Sequence, residues 1–416
     1  MDRYRLPADG SNLIELRSEI YGLKSGDVDW THGAFYYHWP EPGGDVHASA
    51  MAISNLFFND QWLGKYNQPS LNRVLAELEG MVLDITGAPE GAHCCLTTGG
   101  TESILLAMKT ARDWAAAEHP TPGRPEILLP RSAHPAFNKA ASFLGLEAVR
   151  VAQGPDWRAD VAGMARAVTP NTIAIVGSSP SWPHGLIDPI PAIAAIAREH
   201  GLWCHVDACI GGFLLPFYRA VNAPVPPWDF AIEGVRSMSA DLHKFGFTPT
   251  GISSLILRLG EDRRFLRFSF DGWPCGTYAT ESVIGTRPAR IAAAAWATLR
   301  RLGRSGYTEL ARSTLATTQR LVEGLARIGD LQPLAPPQAG ILLVTSPSLD
   351  IFAVSAGLKQ RGFPHGRVLD PPGRHFAMNP VDDSAPVDAL LAAFAEAVRE
   401  VKAGRLKRES SEALYV

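Results

Sequence analysis

From residue 94 to residue 257 the chain alternates short apolar runs with amphipathic segments, and this rhythm limits the fold more than any other feature. Strand candidates lie at 127–129, 149–152, 172–176, 202–206, 237–239 and 253–257. Helical segments fall between several of them. Segment 103–117 puts Ile104, Met108, Ala111 and Ala115 on one face, and 191–200 ends at Gly201. Such alternation predicts an α/β domain with a largely parallel sheet, right-handed crossovers and flanking helices. Ligands of such sheets gather at the carboxyl ends of the strands.

The flanks read differently. Leu71, Leu75, Leu78, Val82 and Ile85 recur at helical spacing, and Gly87 and Pro89 stop that helix. Residues 1–60 carry an aromatic, histidine-rich stretch, Thr31-His32-Gly33-Ala34-Phe35-Tyr36-Tyr37-His38-Trp39-Pro40, with neither helical nor strand period. We expect an extended arm there, packed on a partner subunit or lying as a surface loop. An Ala-rich helix at 291–302, broken by Gly303 and Gly306, leads to a second helix at 307–328. Strand candidates at 341–345 and 375–378 and a closing helix at 387–401 follow, and the charged, Ser-rich tail 404–416 is expected to be mobile. The expected organisation is an N-terminal arm (1–60), a large ligand-binding domain (61–303) and a smaller C-terminal α/β domain (304–416).

Bulk properties remove several function classes. With 46% hydrophobic and 19% charged residues the chain is globular, and a formal charge of −3 offers no basic field for nucleic acid. Five cysteines (Cys94, Cys95, Cys204, Cys209, Cys275) form no CxxC pair and read as reduced thiols. The polar start and the short apolar runs predict no secretory signal, no membrane span and a cytoplasmic location.

Four constellations follow predicted strands. Thr97-Thr98-Gly99-Gly100-Thr101-Glu102-Ser103 could bring glycine backbone and the first amides of a helix against a phosphate; it could equally be a turn with Thr101 as the helix cap. His134, in Ser132-Ala133-His134-Pro135, opens a helix with Pro135 at its first position, where the ring could stack on a flat cofactor or cap the helix. Asp207 ends the strand His205-Val206-Asp207, where a carboxylate is costly unless it meets a cation or donors. His205 shares its strand face, but no third ligand with metal spacing follows. Lys244 stands in Ser239-Ala240-Asp241-Leu242-His243-Lys244-Phe245-Gly246, before a turn and the next strand. Taken together, a lysine, a strand-end aspartate and an upstream cradle describe a pyridoxal 5'-phosphate site. The lysine holds the aldehyde, the aspartate keeps the ring nitrogen protonated and the cradle holds the phosphate.

Five stretches carry a resemblance: Thr98-Gly99-Gly100-Thr101-Glu102-Ser103, Ser132-Ala133-His134-Pro135-Ala136-Phe137-Asn138-Lys139-Ala140-Ala141, Pro183-His184-Gly185-Leu186-Ile187-Asp188-Pro189, His205-Val206-Asp207-Ala208-Cys209 and Ser239-Ala240-Asp241-Leu242-His243-Lys244. Gly285-Thr286-Arg287-Pro288 also fits. With these the chain resembles the group II pyridoxal-phosphate decarboxylase superfamily, of fold type I, in particular its sphingosine-1-phosphate lyase branch. The resemblance implies Lys244 as the Schiff-base lysine, Asp207 as the ring-nitrogen partner and His134 as the stacking histidine. It implies Gly100, Thr101 and His243 at the phosphate, and Gly285 and Thr286 contributed by the other subunit of a homodimer with a shared site. Tyr36 and Tyr37 would lie near that site.

Three departures bear on substrate. Thr250 stands where those lyases carry a lysine, Gln68 where they carry a histidine before proline, and neither supplies charge for a substrate phosphate. Arg374, in Gly373-Arg374-His375-Phe376, aligns with a carboxylate-binding arginine of the amino-acid decarboxylases, or is a surface arginine of a loop. The expected activity is a carbon–carbon lyase cleaving a bond at Cα of an amine or amino acid, by retro-aldol cleavage or decarboxylation. An amino-acid decarboxylase is the alternative, ahead of an aminotransferase or a non-catalytic cofactor-binding protein.

Overall fold

The structure, a computed structural model, describes residues 5–27, 44–62, 68–363, 366–380 and 384–408. Its contacts divide the chain into two units, 1–33 and 34–416. In the first unit, helix α1 (Leu13–Lys24) starts at a reciprocal cap: Asn12 accepts from the Ile14 and Glu15 amides, and Glu15 accepts from the Asn12 amide. The second unit opens with α2 (Gly44–Leu56). The described part of the expected extended arm is therefore helical, because local capping and the 44–56 stretch favour helix. Tyr36 and Tyr37 lie outside the described residues.

Helix α3 (Pro69–Ile85) precedes a seven-stranded sheet. The strands are β1 (His93–Thr97), β2 (Glu126–Pro130), β3 (Glu147–Val151), β4 (Thr172–Ser178), β5 (Trp203–Asp207), β6 (Val235–Ala240) and β7 (Ser253–Leu257). Their order is β1-β7-β6-β5-β4-β2-β3, with β7 antiparallel to both neighbours and β6 through β3 parallel. Strands β4, β5 and β7 are buried throughout, as expected where helices cover both faces. Alternation sends Leu128, Ile175, Cys204, Val206 and Ile256 into one core. Ile127, Leu129, Trp203, Leu255 and Leu257 enter the other.

Between the strands run α4 (Gly100–Glu118), α5 (Ala136–Leu144), α6 (Val161–Arg166), α7 (Ile190–His200), α8 (Leu215–Ala220) and, after β7, α9 (Arg263–Leu266). Two starts differ from expectation. Helix α4 begins at Gly100 with Gly99 as its cap, so Thr101 is inside the helix, and Pro135 caps α5 rather than opening it. A hairpin of β8 (Phe268–Phe270) and β9 (Tyr278–Thr280) leads to α10 (Ala289–Ile328), a single long element kinked at Gly303 (φ 57°). Gly306 stays helical, since without positive φ a glycine only weakens a helix.

The small antiparallel sheet, in the order β10-β11-β13-β12, comprises β10 (Gln332–Pro333), β11 (Ile341–Thr345), β12 (Arg367–Leu369) and β13 (Pro372–Ala377). Helices α11 (Ile351–Gln360) and α12 (Ala385–Lys402) pack with it around Leu342, Val344, Phe376 and Phe394. No described helix is long and apolar enough to cross a membrane.

The loop after β4 meets the small sheet closely. Gly185 has φ +70°, and a Cβ there would sit 2.3 Å from the Ile341 carbonyl oxygen. Gln338 accepts the Ile187 amide at 3.0 Å in the same contact. Gly145 has nearly the same φ, +71°, with nothing within 4 Å. Gly145→Ala should cost about 1–2 kcal/mol from backbone strain alone. Gly185→Ala should cost roughly twice that or more, since the carbonyl must also move; urea unfolding of both variants measures the difference.

Candidate active site

Three neighbouring strands deliver the polar residues. Register pairs Ser178 at the end of β4 with Asp207 at the end of β5, and Asp207 with Ser239 in β6. Beyond β6 the chain turns sharply: Phe247 is buried at φ +56°, and Gly246 accepts the Tyr307 hydroxyl at 2.7 Å. Holding a bulky residue at positive φ costs on the order of 1–3 kcal/mol, offset here by packing around the turn that carries Lys244. A cavity of about 470 Å³ opens at these strand ends. It brings together seven of the expected residues: Gly100, Thr101, His134, Asp207, His243, Lys244 and Thr250.

Lys244 is the cation of this cavity, with its side chain 16% exposed, and its ammonium donates to Asp241 at 3.0 Å. Burial pulls the lysine pKa down, but the attraction of Asp241 and Asp207 outweighs it and the value lies above the ordinary one. Burial likewise disfavours the Asp241 carboxylate, yet Lys244 and His243 hold its pKa below the usual range. Asp207 is buried and accepts the Cys209 amide at 3.2 Å. His134 Nδ1 accepts the Ala136 amide at 3.1 Å, so the neutral ring carries its proton on Nε2. Burial lowers the pKa of that ring, in line with the neutral form. Arg150 secures the loop beneath it, donating to the Arg131 and Ala133 carbonyls at 2.8 and 2.9 Å.

The glycine turn is shaped for a ligand. At the start of α4 the Gly100 and Thr101 amides have no protein acceptor among the described residues, leaving two donors at the positive end of a 19-residue helix. Gly100 has no room for a side chain: a Cβ would lie 2.9 Å from both Asp241 oxygens and from Cys209 Sγ. Glu102 stiffens the turn, accepting from Thr98 N and Oγ1 at 2.7 Å and from Val283 N at 2.8 Å. Ser178 Oγ is buried on the cavity wall with no hydrogen-bond partner. Orphaned helix amides, a reactive amine, a strand-end carboxylate and a lone hydroxyl suit pyridoxal phosphate: phosphate, aldehyde, ring nitrogen and ring oxygen each find a complement.

Four expected residues stand elsewhere. Arg374 is neither a cavity clamp nor an exposed loop residue: it is buried in β13, and its Nη2 donates to the Phe363 carbonyl at 3.4 Å. Side chains alternate along a strand, so it is His375 that meets Trp182 of the cavity wall, with ring centroids 4.5 Å apart. Gln68 caps the start of α3 and does not line the cavity. Gly285 and Thr286 follow β9 off the cavity wall, and Thr286 is exposed. His205, weighed as a metal ligand, is a core histidine whose two ring nitrogens engage the Ser237 and Ser239 hydroxyls at 2.8 and 3.2 Å. No group of metal-ligand type occurs among the described residues.

Sequence reasoning singled out neither Asp241 nor Glu102, although both lie inside quoted motifs. The signal was their spacing: a carboxylate three residues before the lysine, and one at the third position of a helix whose preceding turn needs acceptors. Trp182, Pro180, Ile104 and Ile210 supply the apolar part of the wall, which only the fold assembles.

Burial of His205 sets a pH dependence. Its pKa in the fold is driven down to about 3 by desolvation, whereas an unfolded imidazole titrates near 6.5. Below pH 6.5 the unfolded chain binds a proton that the folded one refuses, so stability falls with pH by up to roughly 1.4 kcal/mol per unit. His205→Gln should flatten this slope between pH 6 and 4 by up to one proton, as urea midpoints measured across that range will show.

Comparison with known proteins bears on the family and the fold. Residues 57–336 match the pyridoxal-dependent decarboxylase conserved domain. A sphingosine-1-phosphate lyase of Arabidopsis thaliana is 37% identical over 406 residues, 96% of this chain and 74% of that protein. A probable L-tyrosine/L-aspartate decarboxylase of Methanothermobacter thermautotrophicus is 31% identical over 371 residues, 88% of this chain and 98% of that one. The solved structure of a Burkholderia pseudomallei sphingosine-1-phosphate lyase superposes with a TM-score of 0.92 at 32% identity, covering 97% of this chain and 94% of that one. With the family's conserved domain spanning most of the chain and a fold type I structure superposing along nearly its full length, this protein belongs to the pyridoxal-phosphate-dependent decarboxylase family.

Proposed function

We propose that this protein is a pyridoxal-phosphate-dependent lyase that breaks the Cα–Cβ bond of a β-hydroxy amine and releases an aldehyde. The observation that carries the reading is the single cavity in which Lys244, Asp207, His134 and the free amides of Gly100 and Thr101 converge. When bound, pyridoxal phosphate supplies a sink for the electron pair released at Cα. Lys244 is the amine that would hold it, Asp207 the carboxylate for its ring nitrogen, and Gly100, Thr101 and His243 the groups for its phosphate. His134 presents an Nε2 proton donor at the cavity wall, fixed in that tautomer by the Ala136 amide. Trp182, Pro180 and Ile210 form an apolar face that excludes water from the reacting end and suits a hydrocarbon substituent.

Cleavage of an amine is favoured over decarboxylation by the position of Arg374. A substrate carboxylate calls for a cationic clamp, and the described wall carries no arginine and no lysine besides Lys244. The same lack, with Thr250 at the rim, speaks for a substrate without a phosphate ester. Decarboxylation of an amino acid is the second reading, supported by the similarity to the archaeal decarboxylase. We further propose a homodimer in which the 283–286 loop reaches the partner's site. Val283 and Ile284 expose apolar side chains there, while Glu102 anchors their amides.

The test is a panel of β-hydroxy amines, their phosphate esters and amino acids, read by aldehyde and carbon dioxide release. Aldehyde from an unphosphorylated amine is expected; carbon dioxide from an amino acid would replace this reading with the second. Lys244→Ala should lose the covalent cofactor absorbance and at least roughly a thousandfold in turnover. Arg374→Ala should leave the Michaelis constant of any accepted substrate unchanged while lowering stability by roughly 1–3 kcal/mol, measurable by thermal melting.

A further inference from the structure

Three carboxylates border the cavity, and they are occupied differently. Glu102 is engaged by backbone amides of the glycine turn and of the 283–284 loop, and Asp207 by the Cys209 amide. Asp241 faces the amine instead: Oδ2 lies 3.0 Å from Lys244 Nζ, and Oδ1 accepts the Ser253 hydroxyl at 2.5 Å. Ser253 ends a chain of hydroxyls, with Ser253 Oγ 2.8 Å from Ser103 Oγ and Ser103 Oγ 2.6 Å from Thr97 Oγ1. All three hydroxyl-bearing residues are buried, and they come from β7, α4 and β1. On the other side the Gly100 backbone closes over the carboxylate. Asp241 therefore has one fixed place, set by elements distant in the chain.

We propose that Asp241 is a positioning residue that holds the Lys244 side chain as an ammonium, aimed into the cavity, whenever that amine is not bonded to cofactor. The inference rests on the reading of Lys244 as the cofactor lysine. An ion pair at this distance, shielded from water, favours the charged amine far more than it would in solvent. The groups that share the cavity with Lys244 are His243 on its own turn, Asp207 at the end of β5, Cys209 after it, His134 before α5 and Glu102 in α4. Asp207 acts in the same direction as Asp241, and the neutral His134 adds no charge. The lysine value above the ordinary one agrees with the geometry.

The full chain, stripped of cofactor, is labelled with acetic anhydride across pH 6 to 11, and acetylation of each lysine is read by mass spectrometry. In the wild type the Lys244 midpoint should lie above that of the exposed Lys407. In Asp241→Asn it should fall by a unit or more, so that Lys244 labels roughly tenfold faster at pH 8. Asp241→Glu should restore most of the wild-type midpoint, and the alkaline limb of turnover in the loaded enzyme should follow the same order. A purely structural role would lower the melting temperature and leave these midpoints in place. Equal midpoints in the wild type and Asp241→Asn would overturn the proposal. If Asp241→Asn does not fold, a wild-type Lys244 midpoint at or below that of Lys407 overturns it. Borohydride reduction of the loaded chain separates the two readings. Cofactor fixed to another lysine removes the functional reading and this one with it. Cofactor on Lys244 with unmoved midpoints removes this one alone.

Discussion

Parallel strands covered on both faces by helices leave charge nowhere to go but their ends, and this structure is organised by that constraint. Strands β4, β5 and β7 are buried along their whole length, and the alternating residues of the sheet feed two apolar cores. A carboxylate or an amine within such a layer would cost several kcal/mol unless paired. Asp207 and the 241–244 turn accordingly sit at the carboxyl edge, where loops and the first turn of α4 provide partners. His205, two residues deeper in β5, shows the other outcome: it is kept neutral and satisfied by two serine hydroxyls.

Carboxylates brace the backbone around the site. Glu102 and Asp188 spend carboxylates on backbone amides, of Thr98 and Val283 in the first case and of Ser178 and Ala159 in the second. Such second partners restrict the groups that face the cavity. Tyr307, from the far half of the kinked helix α10, reaches the Gly246 carbonyl, so the turn carrying Lys244 depends on a residue more than sixty positions away. The contact of Gly185 with β11 joins the loop behind Trp182 to the small sheet in the same manner.

Much of this was legible from the residues in order. The alternation of apolar runs predicts the parallel sheet, and strand 253–257 and strand 341–345 fall as expected. The lysine, the aspartate and the glycine turn each follow a predicted strand, and it was their convergence, not any one of them, that pointed to a cofactor site. Arg374 was misjudged for a physical reason. Strand parity decides which of two neighbours faces a cavity, and the boundary of β13 lies three residues earlier than the apolar pattern suggests. The arm was expected to be extended, whereas its two described helices rest on features that leave no apolar stripe: α1 on its cap and α2 on packing against α10.

By itself, the sequence determined the class of fold and the chemistry on offer, since local period and residue type do not require knowledge of neighbours in space. It also determined the Lys244–Asp241 spacing, since three residues in a turn meet whatever surrounds them. Only the tertiary structure decided that Asp241 is walled in by Ser253, Ser103 and Gly100, and that Arg374 is buried in β13 and does not line the cavity. Ser103 and Gly100 lie more than a hundred residues before Asp241, and only the packing of α4 against the strand ends brings them to it.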